Sequence, residues 1–89
     1  MAFSYPAEFL ESLGGLGIAP TPDTAPGTVR DALNDLYRYE LRALRSRLLV
    51  GEFERSSYLE RVVALRKKYW LLTLPLEAWE RICAQAPSV

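Results

Sequence analysis

The chain has 89 residues, 11 Lys/Arg against 11 Asp/Glu, no histidine and one cysteine, and 49% of it is hydrophobic. A single cysteine closes no disulfide within the chain, and the lack of histidine removes the usual zinc and haem ligand sets and the Ser-His and Cys-His nucleophile systems, so neither metal nor cofactor is expected. A domain this small has trouble burying a sufficient core by itself, and its high apolar content predicts a surface that faces another chain.

Residues 1–27 hold four of the six prolines and four of the five glycines, yet also carry Phe3, Tyr5, Phe9, Leu10, Leu13, Leu16 and Ile18. That mixture predicts an arm with sticky residues rather than a plain flexible linker. Within it, "SYPAEFLESLGG" reads as a short helix, with Ser4 as the cap, Pro6 near the first turn and Gly14-Gly15 as the stop, and "GLGIAPTPDTAPG" as an extended connector. The second part, residues 28–89, reads as a single domain. It opens at Thr28-Val29-Arg30-Asp31, a capping-box pattern that predicts a helix over 28–50 ended by Gly51. Ser57-Tyr58-Leu59-Glu60 is a second such box and predicts a helix over 57–72. Two long helices joined by so short a connector are expected to fold back as an antiparallel hairpin. Behind Pro75, Leu76, Trp79, Ile82 and Cys83 recur at helical spacing and predict a short C-terminal helix. The fold class is all-α.

Each long helix carries two apolar seams. In the first, Leu33, Tyr37, Glu40, Leu44 and Arg47 form one seam, beside Ala32, Leu36, Tyr39, Ala43, Ser46 and Val50. In the second, Tyr58, Val62, Leu65, Tyr69 and Leu72 run beside Leu59, Val63, Arg66, Trp70 and Thr73. One seam suffices to cover a single neighbour, so the second is expected to need a partner. Glu40 and Arg66 interrupt these arcs with opposite charges. A turn centred near residue 53 sets Tyr37 against Tyr69 and Glu40 against Arg66, which predicts an interior ion pair that fixes the register of the hairpin.

These features predict a non-catalytic helical module for protein–protein interaction: an accessory subunit, adaptor or chaperone-like partner of a larger complex, or a homo-oligomer. Phe3, Tyr5, Phe9, Tyr39, Ala43, Trp70 and Trp79 are the expected protein-binding residues. Two other readings are weighed against it. Residues 28–72 carry ten Lys/Arg against six Asp/Glu, and a basic face of Arg38, Arg42, Arg45, Lys67 and Lys68 would suit nucleic acid or an acidic protein, although the zero net charge argues against nucleic acid. Glu40 and Arg66 with Tyr37 and Tyr69 could line the anion pocket of a small helical enzyme. "LGGLG" at 13–17 lacks the lysine and hydroxyl residue of a phosphate loop. The start "MAFSYPAEFLE" has no signal layout and no apolar run reaches membrane length, so a cytoplasmic location without membrane contact is expected. Nine arginines against two lysines are compatible with a bacterial or phage source.

Overall fold

A computed structural model of the chain describes residues 2–84, and every regular element among them is helical. Helices α1 (Ala7–Gly14), α2 (Pro26–Leu49), α3 (Arg55–Lys68) and α4 (Leu76–Ile82) follow in order, with a 3₁₀ turn at Trp70–Thr73 between the last two. The all-α class expected from periodicity is the one the chain adopts. The end of the expected C-terminal part, residues 85–89, lies outside the described residues.

The helix starts depart from expectation in one consistent way: neither capping box is used. The N-cap residues are Pro6, Ala25 and Glu54, and none makes a side-chain hydrogen bond to its helix. Pro26 occupies the first turn of α2, where a missing N–H leaves nothing unsatisfied and the fixed φ suits the helix. The backbone then closes upstream of the boxes, with the Val29 N–H on Ala25 O at 3.2 Å and the Tyr58 N–H on Glu54 O at 2.9 Å. Each helix thereby starts two residues earlier than its box predicts.

Two of the stops, those of α1 and α2, are governed by glycine at positive φ. Gly51, at φ 79°, donates to Leu48 O at 3.0 Å while Glu52 donates to Arg47 O at 3.0 Å, the two bonds of a Schellman end. The same pair recurs after α1, where Gly17 at φ 80° donates to Gly14 O and Ile18 to Leu13 O. Gly17, not Gly14-Gly15, is therefore the residue that turns the chain out of α1. α3 ends at Lys68, short of the expected Leu72, because the backbone tightens into the 3₁₀ turn, with the Leu72 N–H on Tyr69 O at 3.0 Å.

Phe9, Leu13, Val29, Leu33, Tyr69, Leu71, Trp79 and Cys83 form the core. They come from α1, the first half of α2, the 3₁₀ turn and α4, so the core sits at one end of the molecule. Trp79 is fully buried and donates its indole N–H to Leu71 O at 3.0 Å. Phe9 meets Trp79 and Trp70 edge-on, with ring centroids 5.0 and 6.1 Å apart. Arg30 reaches from α2 to Leu74 O at 3.0 Å and Leu72 O at 3.4 Å, satisfying carbonyls that the 3₁₀ turn leaves open. The arm is tied in as well: the Tyr5 hydroxyl donates to Thr24 O, the Phe3 N–H to Pro22 O and the Ser4 N–H to Cys83 O.

The rest of the molecule is built differently. Between residues 34 and 68 the only buried residue is Leu44, and α3 has none. The chain measures 57 × 20 × 17 Å, with a radius of gyration of 15.7 Å where a compact chain of this length has about 12 Å.

Candidate functional site

α2 packs against both α3 and α4. Beyond the core, the side chains that join α2 to α3 are few and mostly polar. The rings of Tyr37 and Tyr69 lie 5.4 Å apart. Glu40 accepts hydrogen bonds from Lys68 Nζ at 3.3 Å and from the Tyr69 hydroxyl. Nearer the turn, the guanidinium groups of Arg47 and Arg61 stand 5.3 and 4.5 Å from the Phe53 ring centre, and Arg47 Nε pairs with Glu52 at 2.5 Å. Phe53 in turn stacks on Tyr58.

This geometry corrects the expected Glu40–Arg66 pair. Glu40 is half-buried and its cation is Lys68, while Arg66 is exposed and pairs with no acid among the described residues. Lys68 lies about 200° round the helix from Arg66 at about 100° per residue, so only one of the two can face Glu40. Placing Tyr37 against Tyr69 leaves Lys68 nearer to Glu40 than a count centred on residue 53 allows. Burial, then the hydrogen bond and the charge of Glu40, push the Tyr69 hydroxyl well above its ordinary pKa, so it donates to that carboxylate throughout the neutral range. Of the four residues expected to line an anion pocket, three are brought together. Arg66 lines a hollow of about 180 Å³ with Tyr37, Tyr69, Leu72 and Thr73, and Glu40 does not line it.

Two grooves run between α2 and α3. The first, about 450 Å³, is lined by Tyr39, Glu40, Ala43, Leu44, Arg47, Arg61, Ala64, Leu65 and Lys68. Its apolar lining runs from the buried Leu44 through the small Ala43 and Ala64 to the exposed Tyr39, and its charges are largely matched, Lys68 to Glu40 and Arg47 to Glu52. The second, about 480 Å³, is lined by Arg45, Leu48, Leu49, Arg55, Tyr58 and Leu59 and holds no acid. Arg38, Leu41 and Arg42 line a hollow further along α2.

The expected site residues are thereby divided. Tyr39, 67% exposed, and Ala43 remain open on the first groove. Phe9 and Trp79 are spent in the core, and Trp70 is half-buried with its indole N–H on Ser12 Oγ at 2.8 Å. Phe3 and Tyr5 are half-buried where the arm folds back. The reason is that large aromatics remove so much area from water that an internal partner, once within reach, takes them. The expected basic face also changes membership. Arg38, Arg42 and Arg45 are exposed, but Lys68 lines the first groove beside Glu40, so it does not join Arg45 on the second, where Arg55 stands instead. Lys67 is exposed and lines neither groove. Arg55 stands before Ser57 and so outside the helix that the second capping box predicts. Its helical spacing from Leu59 and Arg66 becomes readable once α3 starts two residues earlier.

Cys83 is buried, which raises its thiol pKa and makes it a poor nucleophile. Among the described residues no group of three or more histidine, cysteine, aspartate or glutamate side chains is placed to hold a metal ion, and no helix is long and apolar enough to cross a membrane. Comparison with family models, with curated proteins and with solved structures finds no match to this chain.

Proposed function

We propose that the protein is a non-catalytic helical interaction module, an accessory subunit or adaptor of a larger assembly, which binds through the half of the molecule remote from its core. In this reading α2 and α3 are an antiparallel hairpin, as the order of the pairs Tyr37–Tyr69, Glu40–Lys68 and Arg47–Phe53–Arg61 supports. The observation that carries the proposal is the exposure of that half: Tyr39, Leu49, Val50, Leu59 and Val63 are each between 50% and 80% exposed, and all lie on α2, α3 or the start of the turn after α2. Single exposed leucines are ordinary, but five large apolar residues concentrated where almost nothing is buried make a surface that favours a partner. The first groove is the natural seat for a helix, because Ala43 and Ala64 let another backbone come close.

The test is the mass of the protein, alone and in extract from its own source, by size-exclusion chromatography with light scattering, for the unmutated chain and for Ala43→Arg. Self-association or a co-eluting complex in the first, lost in the second at unchanged helical circular dichroism, is the expected result. A chain that is monomeric and partner-free at every concentration would end the proposal.

A further inference from the structure

The charges of this neutral chain are separated along its length. Residues 36–68 carry nine Lys/Arg against four Asp/Glu, a net of plus five, and the remaining residues carry two against seven, a net of minus five. The ion pairs on the basic half, Arg47–Glu52 and Lys68–Glu40, involve residues that line the first groove. Arg38, Arg42, Arg45, Arg55 and Arg66 pair with no acid among the described residues. Arg38, Arg42, Arg45 and Leu49 follow one another at helical spacing on α2, as do Arg55, Leu59 and Arg66 on α3. The second groove thus has arginines interleaved with leucines, and Leu49 and Leu59 are 80% and 60% exposed.

We infer that this face binds an acidic amphipathic helix of a partner protein, whose leucine-like residues cover Leu48, Leu49 and Leu59 while its carboxylates meet Arg42, Arg45 and Arg55. The inference rests on the reading of the protein as an interaction module and gives it a second contact, on the opposite groove from Ala43 and independent of whatever occupies the first. From Arg38 to Leu49 the face runs about 17 Å, which accommodates about three turns of helix. Arginine is suited to such a rim, since its weakly hydrated planar fork takes a carboxylate in bidentate fashion beside apolar neighbours. A nucleic acid would satisfy the arginines but gain nothing from the leucines between them, and the one ring in the groove, Tyr58, is already stacked on Phe53 rather than free to stack a base. A second copy presenting the same face would set arginines against arginines.

The experiment is fluorescence anisotropy with a labelled peptide of about fourteen residues, carrying leucines at i, i+4 and i+7 flanked by glutamates, and a scrambled peptide of the same composition. A single-stranded oligothymidylate and phosphatidylglycerol vesicles are the parallel probes. Saturable, salt-sensitive binding of the patterned peptide is expected, weakened roughly tenfold or more both by Arg42→Gln/Arg45→Gln/Arg55→Gln and by Leu49→Ser/Leu59→Ser, and unchanged by Ala43→Arg. These residues are exposed, so helicity should persist in every variant. Equal binding of the scrambled peptide overturns the inference, as does binding of the oligonucleotide or the vesicles in preference to the peptide. Loss of peptide binding in Ala43→Arg alone would also overturn it, by placing the helix in the first groove and leaving the interaction module intact.

Discussion

Trp79 and Leu49 are both large apolar side chains at helical spacing with other apolar residues, yet one is fully buried and the other 80% exposed. The first belongs to the end of the molecule where α1, the 3₁₀ turn and α4 gather around α2. The second belongs to the end where α2 and α3 have only each other. Two helices alone cover one stripe apiece, so whatever stands on a second stripe stays in water unless a third element arrives. At the core end the third element is supplied twice, by the arm and by α4. At the other end none of the described residues supplies one, and local contacts hold the turn: Arg47 on Glu52, two guanidinium groups on Phe53, and Phe53 on Tyr58. The core end is therefore the source of stability and the open end the place where a partner would be felt.

The sharpest way to break that contrast is to truncate one large residue in each half. Trp79→Ala should cost about 3–5 kcal/mol, a large share of the stability of a small domain, whereas Leu49→Ala should stay within about 0.5 kcal/mol. Urea unfolding followed by circular dichroism measures both, and comparable losses would mean that the open half is packed in solution.

Leu44→Arg probes whether the halves are one cooperative unit. It forces a charge onto the only buried position between residues 34 and 68, and should cost roughly 2–4 kcal/mol. Hydrogen exchange should then show protection lost over residues 41–66 and kept in α1, α4 and the first half of α2. Uniform loss would make the molecule a single cooperative block.

The smallest effects concern the junction between the halves. Glu40→Ala leaves the buried Tyr69 hydroxyl without its acceptor and should cost about 1–3 kcal/mol, while Arg66→Ala should be nearly silent, within about 0.5 kcal/mol. Tyr69 also sets a pH dependence. Its hydroxyl loses its proton at higher pH in the folded chain than in the unfolded one, so above about pH 10 the unfolded state binds fewer protons and stability falls as pH rises. Tyr69→Phe should flatten that alkaline decline in thermal melts taken between pH 8 and 11.

How much of this was readable beforehand varies with the range of the interaction. Helical class, the stop at Gly51 and the short helix behind Pro75 depend on residues within a turn of one another, and the sequence carries them plainly. The capping boxes at Thr28 and Ser57 misled because the backbone could close further upstream, after Ala25 and Glu54. The candidate site was half legible: Tyr39 and Ala43 are open as their seam suggested, and Tyr37 meets Tyr69 as counted, but Glu40 takes Lys68 because Arg66 and Lys68 stand about 200° apart round the helix and only one of them can face it.

By itself the sequence determined that the chain is helical, that histidine-based chemistry is closed to it, and that it holds more apolar stripe than two helices can hide; these are properties of composition and of local spacing. Only the tertiary structure decided which stripe is hidden. Folding back through the Pro/Gly-rich connector brings Phe9 and Leu13 against Trp79 and Leu33 and closes one end, at no local cost that the sequence pattern records. The aromatic arm, which by composition resembled a hook for a partner, thereby became the lid of the core. The free surface lies instead with the leucines and arginines of the far end, because contacts between residues distant in sequence depend on where the chain returns in space.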